Sequence, residues 1–272
     1  MSKRHPYKAL NKWVIELQSK GRHSATLEEF RKQFPDKSEA SLKLGINRLI
    51  KSEAIISIYK GYYLLIPPQY ASRGILPASL FIDGLMKHLG KEYYVGLLSA
   101  AAYYGAAHQQ PQEFFVITPP PPVTMSVKKG VKVNFINKKE INKQFIEKKK
   151  TDTGYFNISS PEMTAADLIH YARQVGGMNR IATVLNELAD EMNPQRLNAA
   201  FVNAIPVATL QKLGYLLDDI LKRKELANQL HKAAIDAKIS FFRTSIGKQA
   251  KKKYAFNSKW NIVNNIQIEI DE

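Results

Sequence analysis

Six histidines, His5, His23, His88, His108, His170 and His231, are the first candidates for metal ligation or proton transfer. No two stand at a ligand spacing such as His-x-x-x-His, which would put both imidazoles on one helix face. His170 follows apolar Leu168 and Ile169 and reads as a core or boundary residue. Cysteine is absent, which excludes disulfides, thiolate zinc sites, iron–sulfur clusters and thiol nucleophiles. Gly74, Gly84 and Gly96 are scattered instead of forming a loop that could cradle phosphates. Neither a Gly-Lys-Ser/Thr step nor a Gly-x-Ser-x-Gly elbow occurs. Two acid-x-lysine matches, Glu147-Lys148-Lys149 and Asp236-Ala237-Lys238, fit the metal-holding pair of restriction-type nucleases. Such short matches arise by chance in a lysine-rich chain. Asp236 falls in a helical pattern, and Glu147 has no evident acidic partner on a neighbouring strand. The sequence therefore assigns no catalytic residue, no metal and no cofactor, and the chain is not read as an enzyme.

Charge points to a binding function instead. The 272 residues carry 40 Lys and Arg against 24 Asp and Glu, net +16. The excess is uneven: residues 1–70 carry net +7, 71–127 none, 128–150 net +7, 151–221 net −4, 222–259 net +9 and 260–272 net −3. A polyanionic partner is the simplest inference, with nucleic acid ahead of membrane because no basic amphipathic anchor stands out. No run approaches the roughly 20 apolar residues of a membrane span. The basic start has no apolar segment behind it, so it is not read as a signal peptide. With no cysteine, a reducing cytoplasm is the expected location. A lysine run is usually a solvated face, but three separate runs raise the expectation that at least one of them adds phosphate contacts.

The elements that must position these charges follow from periodicity. Residues 8–19 read as a helix with Leu10, Val14 and Leu17 on one side and Trp13 beside them. Residues 26–34 are a short second helix, with Thr26 and Glu29 at capping-box spacing and Pro35 as its stop. Residues 38–52 are a third helix. Residues 55–58 and 62–66 are β-prone, with Tyr59-Lys60-Gly61 as the turn between them. Pro67-Pro68 then marks a boundary. Beyond it, helices are expected at 77–89, 97–105, 162–173, 179–191, 195–204, 207–222 and 224–237. Strands are expected at 114–118, 131–136, 155–158, 239–242 and 262–270. Ser159, Pro161 and Glu162 read as a helix start, with Ser159 as the cap. The expected fold is α+β: a winged helix-turn-helix domain over residues 1–70, then a larger mixed α/β domain over 71–272.

In that fold the third helix enters the major groove of DNA. At about 100° per residue, Leu42, Ile46, Leu49, Ile50 and Glu53 share one mostly apolar side. Lys37, Ser41, Leu44, Asn47, Arg48 and Lys51 fall opposite, with Lys43 on the same helix. Arg48 can fork onto guanine and Asn47 onto adenine, Ser41 can bond base or phosphate, and Leu44 suits a thymine methyl. Lys37, Lys51 and Lys60 at the turn are phosphate contacts, as are Lys3 and Arg4 on a basic arm. Alternating Tyr59, Tyr62 and Tyr63 read as half-buried hairpin residues.

A set of short landmarks resembles the AbiEi antitoxins of type IV toxin–antitoxin systems, which are linked to abortive phage infection. They are Arg48-Leu49-Ile50-Lys51 with Gly61-Tyr62-Tyr63-Leu64, Tyr93-Tyr94-Val95-Gly96-Leu97-Leu98-Ser99-Ala100, Tyr104-Gly105 and Phe114-Phe115-Val116-Ile117. Ser160-Pro161-Glu162, Ala165-Ala166-Asp167-Leu168, the Gly176-Gly177 break and Leu213-Gly214-Tyr215-Leu216-Leu217 complete the set. The resemblance implies an N-terminal winged helix that represses its own operon by binding promoter repeats in double-stranded DNA. It also implies a C-terminal domain that counters a nucleotidyltransferase toxin without a tight complex. The alternative reading is a stand-alone winged-helix transcription factor whose C-terminal domain senses a ligand or partner.

Overall fold

The computed structural model describes residues 6–71, 76–106, 113–124, 132–152, 154–247 and 255–270. Basic-arm candidates Lys3 and Arg4 lie outside them, as do Lys128, Lys129, Lys248 and Lys251 to Lys253 of the lysine runs. The fold is mixed α+β. The chain opens with α1 (Pro6–Ser19), β1 (Ser24–Thr26), α2 (Leu27–Gln33), α3 (Glu39–Lys51), β2 (Ile55–Tyr59), β3 (Tyr62–Leu65), α4 (Pro68–Ala71) and α5 (Ile82–His88). It continues with β4 (Tyr94–Val95), α6 (Leu97–Tyr103), β5 (Phe114–Thr118), β6 (Val133–Asn137), β7 (Ile146–Thr151) and β8 (Gly154–Ser159). Then come α7 (Pro161–His170), α8 (Met178–Leu188), α9 (Ala199–Ala204), α10 (Val207–Tyr215), a π turn over Leu216–Ile220, α11 (Lys224–Asp236), β9 (Thr244–Ser245), β10 (Ala255–Asn257) and β11 (Ile262–Asn264).

Two compact units share this chain. The first holds residues 1–94, 116–141 and 148–157; the second holds 95–115, 142–147 and 158–272. In the first unit an antiparallel sheet of order β1-β3-β2 aligns Thr26 with Tyr62 and Ile55 with Leu65, with a bulge between Ser57 and Tyr59. Leu10, Val14 and Leu17 of α1, Phe30 of α2, Leu42, Ile46 and Leu49 of α3, and Ile55 and Leu65 of the strands are buried together. Each such side chain withdrawn from water contributes about 1.5–3 kcal/mol. This apolar cluster, more than helix propensity, holds the three short helices in place.

Further strands form a five-stranded sheet of order β6-β5-β4-β8-β7, in which β4 and β8 run parallel with Val95 beside Ile158. In the second unit, α6 to α11 bury Ala165, Leu168, Leu185, Leu210 and Leu213. A small sheet of order β10-β11-β9 closes its C-terminal part.

Several sequence expectations are corrected here. The cap of α7 is Ser160, whose Oγ accepts from the Met163 N–H at 3.3 Å. Ser159 is instead buried against Thr164, with 2.7 Å between the hydroxyls. The helix expected over 77–89 breaks at Phe81 into a 3-10 turn and α5. No strand forms over 239–242, and of the alternating stretch 262–270 only Ile262–Asn264 is paired. Alternation marks a face; a strand also needs a partner edge for its amides and carbonyls. The reverse error is β7. Its Ile-Glu-Lys-Lys-Lys-Thr sequence carries little apolar signal, yet it forms the edge of the five-stranded sheet. Charged residues, lysine above all, are common on edge strands because they disfavour pairing with another chain.

Candidate nucleic-acid interface

The candidate interface is built on α3. Ser38 starts the helix, its Oγ accepting from the Ser41 N–H at 3.3 Å. Leu42, Gly45, Ile46 and Leu49 turn inward. Gly45 lets α1 approach closely: a Cβ there would stand 2.8 Å from Leu10 Cδ2. The opposite face carries Lys43, Leu44, Asn47, Arg48 and Lys51, all exposed, with Leu44 at 54%. Asn47, Arg48 and Lys51 have no hydrogen-bond or ion-pair partner for their side chains among the described residues. Their donors are free to meet a ligand. Ser41 is half-buried at the edge of this face. Lys37 precedes the helix, half-buried, with its ammonium 5.9 Å from the centre of the Phe34 ring.

What fixes α3 is α2. Thr26 and Glu29 form the capping box expected of them: Thr26 Oγ1 accepts from the Glu29 N–H at 3.2 Å, and Glu29 Oε2 accepts from the Thr26 N–H at 2.7 Å. Arg31 on α2 donates two hydrogen bonds to Glu39 at the start of α3, at 2.7 and 3.1 Å. That fork aligns two planes as well as two charges. It holds the Glu39 carboxyl below its ordinary range. Behind the helices, Trp13 meets Phe30 and Phe34 edge-to-face with centroids 4.8 and 5.8 Å apart, and Phe30 meets Tyr63 at 5.8 Å.

The β2–β3 turn presents Lys60, exposed, beside Gly61 in the left-handed region at φ 73°. Two bonds anchor it. His88 Nε2 lies 3.2 Å from the Lys60 carbonyl and donates to it, and the Tyr62 hydroxyl donates to the Phe81 carbonyl at 3.2 Å. Burial pushes the Tyr62 phenol up to about 12. Tyr59 and Tyr63 are half-buried and Tyr62 is fully buried, so the three tyrosines serve the hairpin itself.

Sequence reasoning found the face of α3 but missed its supports. The signal for Gly45 was a glycine inside a helical pattern, where it costs about 1 kcal/mol relative to alanine unless packing requires it. The signal for the fork was an arginine and a glutamate eight residues apart across a proline turn. The anchors at Phe81 and His88 left no local trace, since both lie across a chain separation that no periodicity reports.

In the second unit the family landmarks account for one another structurally. Ser99 Oγ accepts from the Phe115 N–H at 2.9 Å. Tyr104 donates to the Ser159 carbonyl at 2.8 Å and to Glu147. Burial, with the Glu147 carboxylate beside it, raises the Tyr104 phenol well above its usual range. Arg196 bonds Glu147 and lies 3.8 Å from Glu162, whose other oxygen accepts from the Asn193 N–H at 2.9 Å. Glu147 therefore does have a neighbouring acid, but an arginine stands between the two. No group of three acidic or imidazole side chains able to hold a metal occurs among the described residues. Asp218 takes Lys224, Lys259 and Trp260 Nε1 at 2.5, 2.7 and 3.0 Å. Burial alone would raise its carboxyl; these donors outweigh that and hold it well below the usual carboxylate range. No helix among the described residues is long and apolar enough to cross a membrane.

No curated protein matches the chain. Among solved structures, it is similar in fold to the RV2827C protein from Mycobacterium tuberculosis, at 16% identity and a TM-score of 0.64, covering 93% of this chain and 90% of that one. The family model of the AbiEi antitoxin C-terminal domain matches residues 94–219, a span that contains the landmarks from Tyr94 to Leu217. That match supports an antitoxin role in a toxin–antitoxin system. Residues 94–219 are thus similar to the AbiEi antitoxin C-terminal domain, the family that the sequence landmarks resemble.

Proposed function

We propose that the protein is the antitoxin and transcriptional autorepressor of a type IV toxin–antitoxin system, acting in the cytoplasm in abortive infection. Residues 1–70 serve as a winged helix that reads double-stranded DNA at repeats in its own promoter. Residues 71–272 serve as the antitoxin domain, countering a nucleotidyltransferase toxin without a stable complex. The chain has no catalytic role in this reading.

The observation that carries the DNA-binding half is the division of α3. Leu42, Ile46 and Leu49 are buried while Asn47, Arg48 and Lys51 are exposed and unpartnered. A helix so divided, braced by α2 and followed by a hairpin with Lys60 at its turn, fits a major groove. Arg48 and Asn47 are the base readers; Lys43, Lys51 and Lys60 set register on phosphates. The family match carries the antitoxin half.

The test is a gel shift of the full-length protein on its own promoter, paired with rescue of cells expressing the toxin gene of the same operon. Specific retardation together with rescue supports the reading. Equal affinity for promoter and unrelated duplex refutes the autorepressor half, and failure to rescue refutes the antitoxin half.

A further inference from the structure

An open cleft of about 820 Å³ lies wholly within the first unit, and no residue of α3 lines it. Three segments wall it: residues 20–24 from the end of α1 into β1, residues 79–87 running into α5, and residues 148–152 of β7 and its end with 154–157 of β8. Its size falls in the range of roughly 300–1,000 Å³ typical of small-molecule sites.

The hairpin wall is built by strand alternation. Phe156 and Ile158 are buried on one face of β8, so Tyr155 and Asn157 point to the other, and both line the cleft. Tyr155 is 56% exposed, an uncovered ring on a polar wall. Scattered surface aromatics need no explanation, but this one sits in a concavity with charge on its flanks.

Arg22, Lys87 and Lys148 bring cations to three different walls. Lys148 has no ion pair among the described residues. Arg22 is paired with Glu29 at 2.6 Å and Lys87 with Asp83 at 2.6 Å, each an exposed cation on a half-buried carboxylate at the surface. Such pairs are worth about 0–1 kcal/mol, so a more highly charged anion can draw the cations away. Asp83 keeps a partner when Lys87 leaves, because it also accepts from the Tyr93 hydroxyl at 3.0 Å. Asp152 brings a carboxylate, an acceptor suited to hydroxyl groups.

An open aromatic face, several separate cations and one carboxylate correspond to the three parts of one ligand class. A planar base stacks on Tyr155, phosphates take Lys148 with Arg22 or Lys87, and a ribose hydroxyl donates to Asp152. We propose that this cleft binds a nucleoside phosphate. The inference stands apart from the DNA-binding reading, since none of the proposed DNA contacts lines the cleft.

Isothermal titration of the full-length protein tests it, with ADP, adenosine and inorganic phosphate as separate titrants. ADP should bind at least about tenfold tighter than either fragment, a difference of about 1.4 kcal/mol. Lys148→Ala and Tyr155→Ala should each weaken ADP at least about fivefold with an unchanged melting temperature. Tyr155→Phe should keep most of the affinity, because the ring remains. Lys232→Ala, at an exposed position of α11, should change nothing. Absence of binding by ADP overturns the proposal. So does phosphate binding as tightly as ADP, which would mean an anion patch without base recognition. Equal weakening by Lys232→Ala would also overturn it, by exposing attraction to net charge alone.

Discussion

Gly214 of α10 lies flat against the indole of Trp260, so that a Cβ at position 214 would fall inside the van der Waals radii of ring atoms Cζ3, Cη2 and Cε3. The ring cannot yield easily. It is fully buried, stacked on Phe241 with centroids 5.8 Å apart, and bonded through Nε1 to Asp218. Gly214→Ala should therefore destabilise the second unit by about 1–3 kcal/mol, the usual cost of overpacking a core. Thermal melting followed by tryptophan fluorescence reads this directly. A melting temperature equal to wild type would show that the indole moves aside freely.

Asp218 supports the same indole and gives a pH signature. Its folded carboxyl titrates below the unfolded value of about 3.9. On acidification the unfolded chain takes up the proton first, so stability is retained above about pH 4 and falls as pH drops through the folded value. Asp218→Asn should cost about 2–4 kcal/mol at pH 7, from the loss of charge-assisted bonds. The gap to wild type should narrow in denaturant titrations at pH 2–3. A constant gap would place the residue's contribution in packing alone.

Arg48 separates the two proposed activities. Arg48→Ala should lower affinity for the promoter by about 1–3 kcal/mol and relax base preference. Toxin rescue in cells should be unchanged, because the substitution lies on an exposed face of the first unit. A point variant is a cleaner probe than deletion of residues 1–70. Deletion would uncover Phe81, whose carbonyl accepts from Tyr62, and Gly84, which packs against the Tyr62 hydroxyl.

Lys51 should act through charge without reading sequence. Each neutralised phosphate contributes about 0.9 to the slope of log affinity against log salt. Lys51→Ala should lower that slope by about 0.9 and weaken all duplexes alike. An unchanged slope across a salt series would remove Lys51 from the interface.

The three helices and hairpin of the first 66 residues were legible in the sequence because every signal there is local. The Thr26–Glu29 box, the Pro35 stop, the period of Leu42, Ile46 and Leu49, and the Tyr59-Lys60-Gly61 turn all act within a few residues. The helices α7, α8, α10 and α11 were legible for the same reason, whereas the one expected over 195–204 splits into a 3-10 turn at Pro194–Arg196 and α9, which starts at Ala199 under an Asn198 cap. Illegible were elements defined by distant partners. β7 has the composition of a solvated loop and is a strand only because β8 lies beside it. Residues 265–270 have the alternation of a strand but are not assigned to one. Of the site, the outward face of α3 could be read from angles. The Arg31–Glu39 fork, the closeness of Gly45 to Leu10 and the His88 anchor of the turn required coordinates. The cleft beside Tyr155 left no sequence signature, since its walls come from segments more than fifty residues apart.

Leu44 gives the exposed face of α3 a thermal property that its charges lack. A half-exposed leucine amid Lys43, Asn47 and Arg48 keeps apolar surface hydrated in the free protein. Covering it releases that water and lowers the heat capacity of the complex. Counterion release, by contrast, is read through salt concentration. Temperature and ionic strength therefore address two separate components of one small surface. In the proposed complex with DNA, the curvature of affinity with temperature would include the share of this leucine, while its slope with salt would report on the lysines around it.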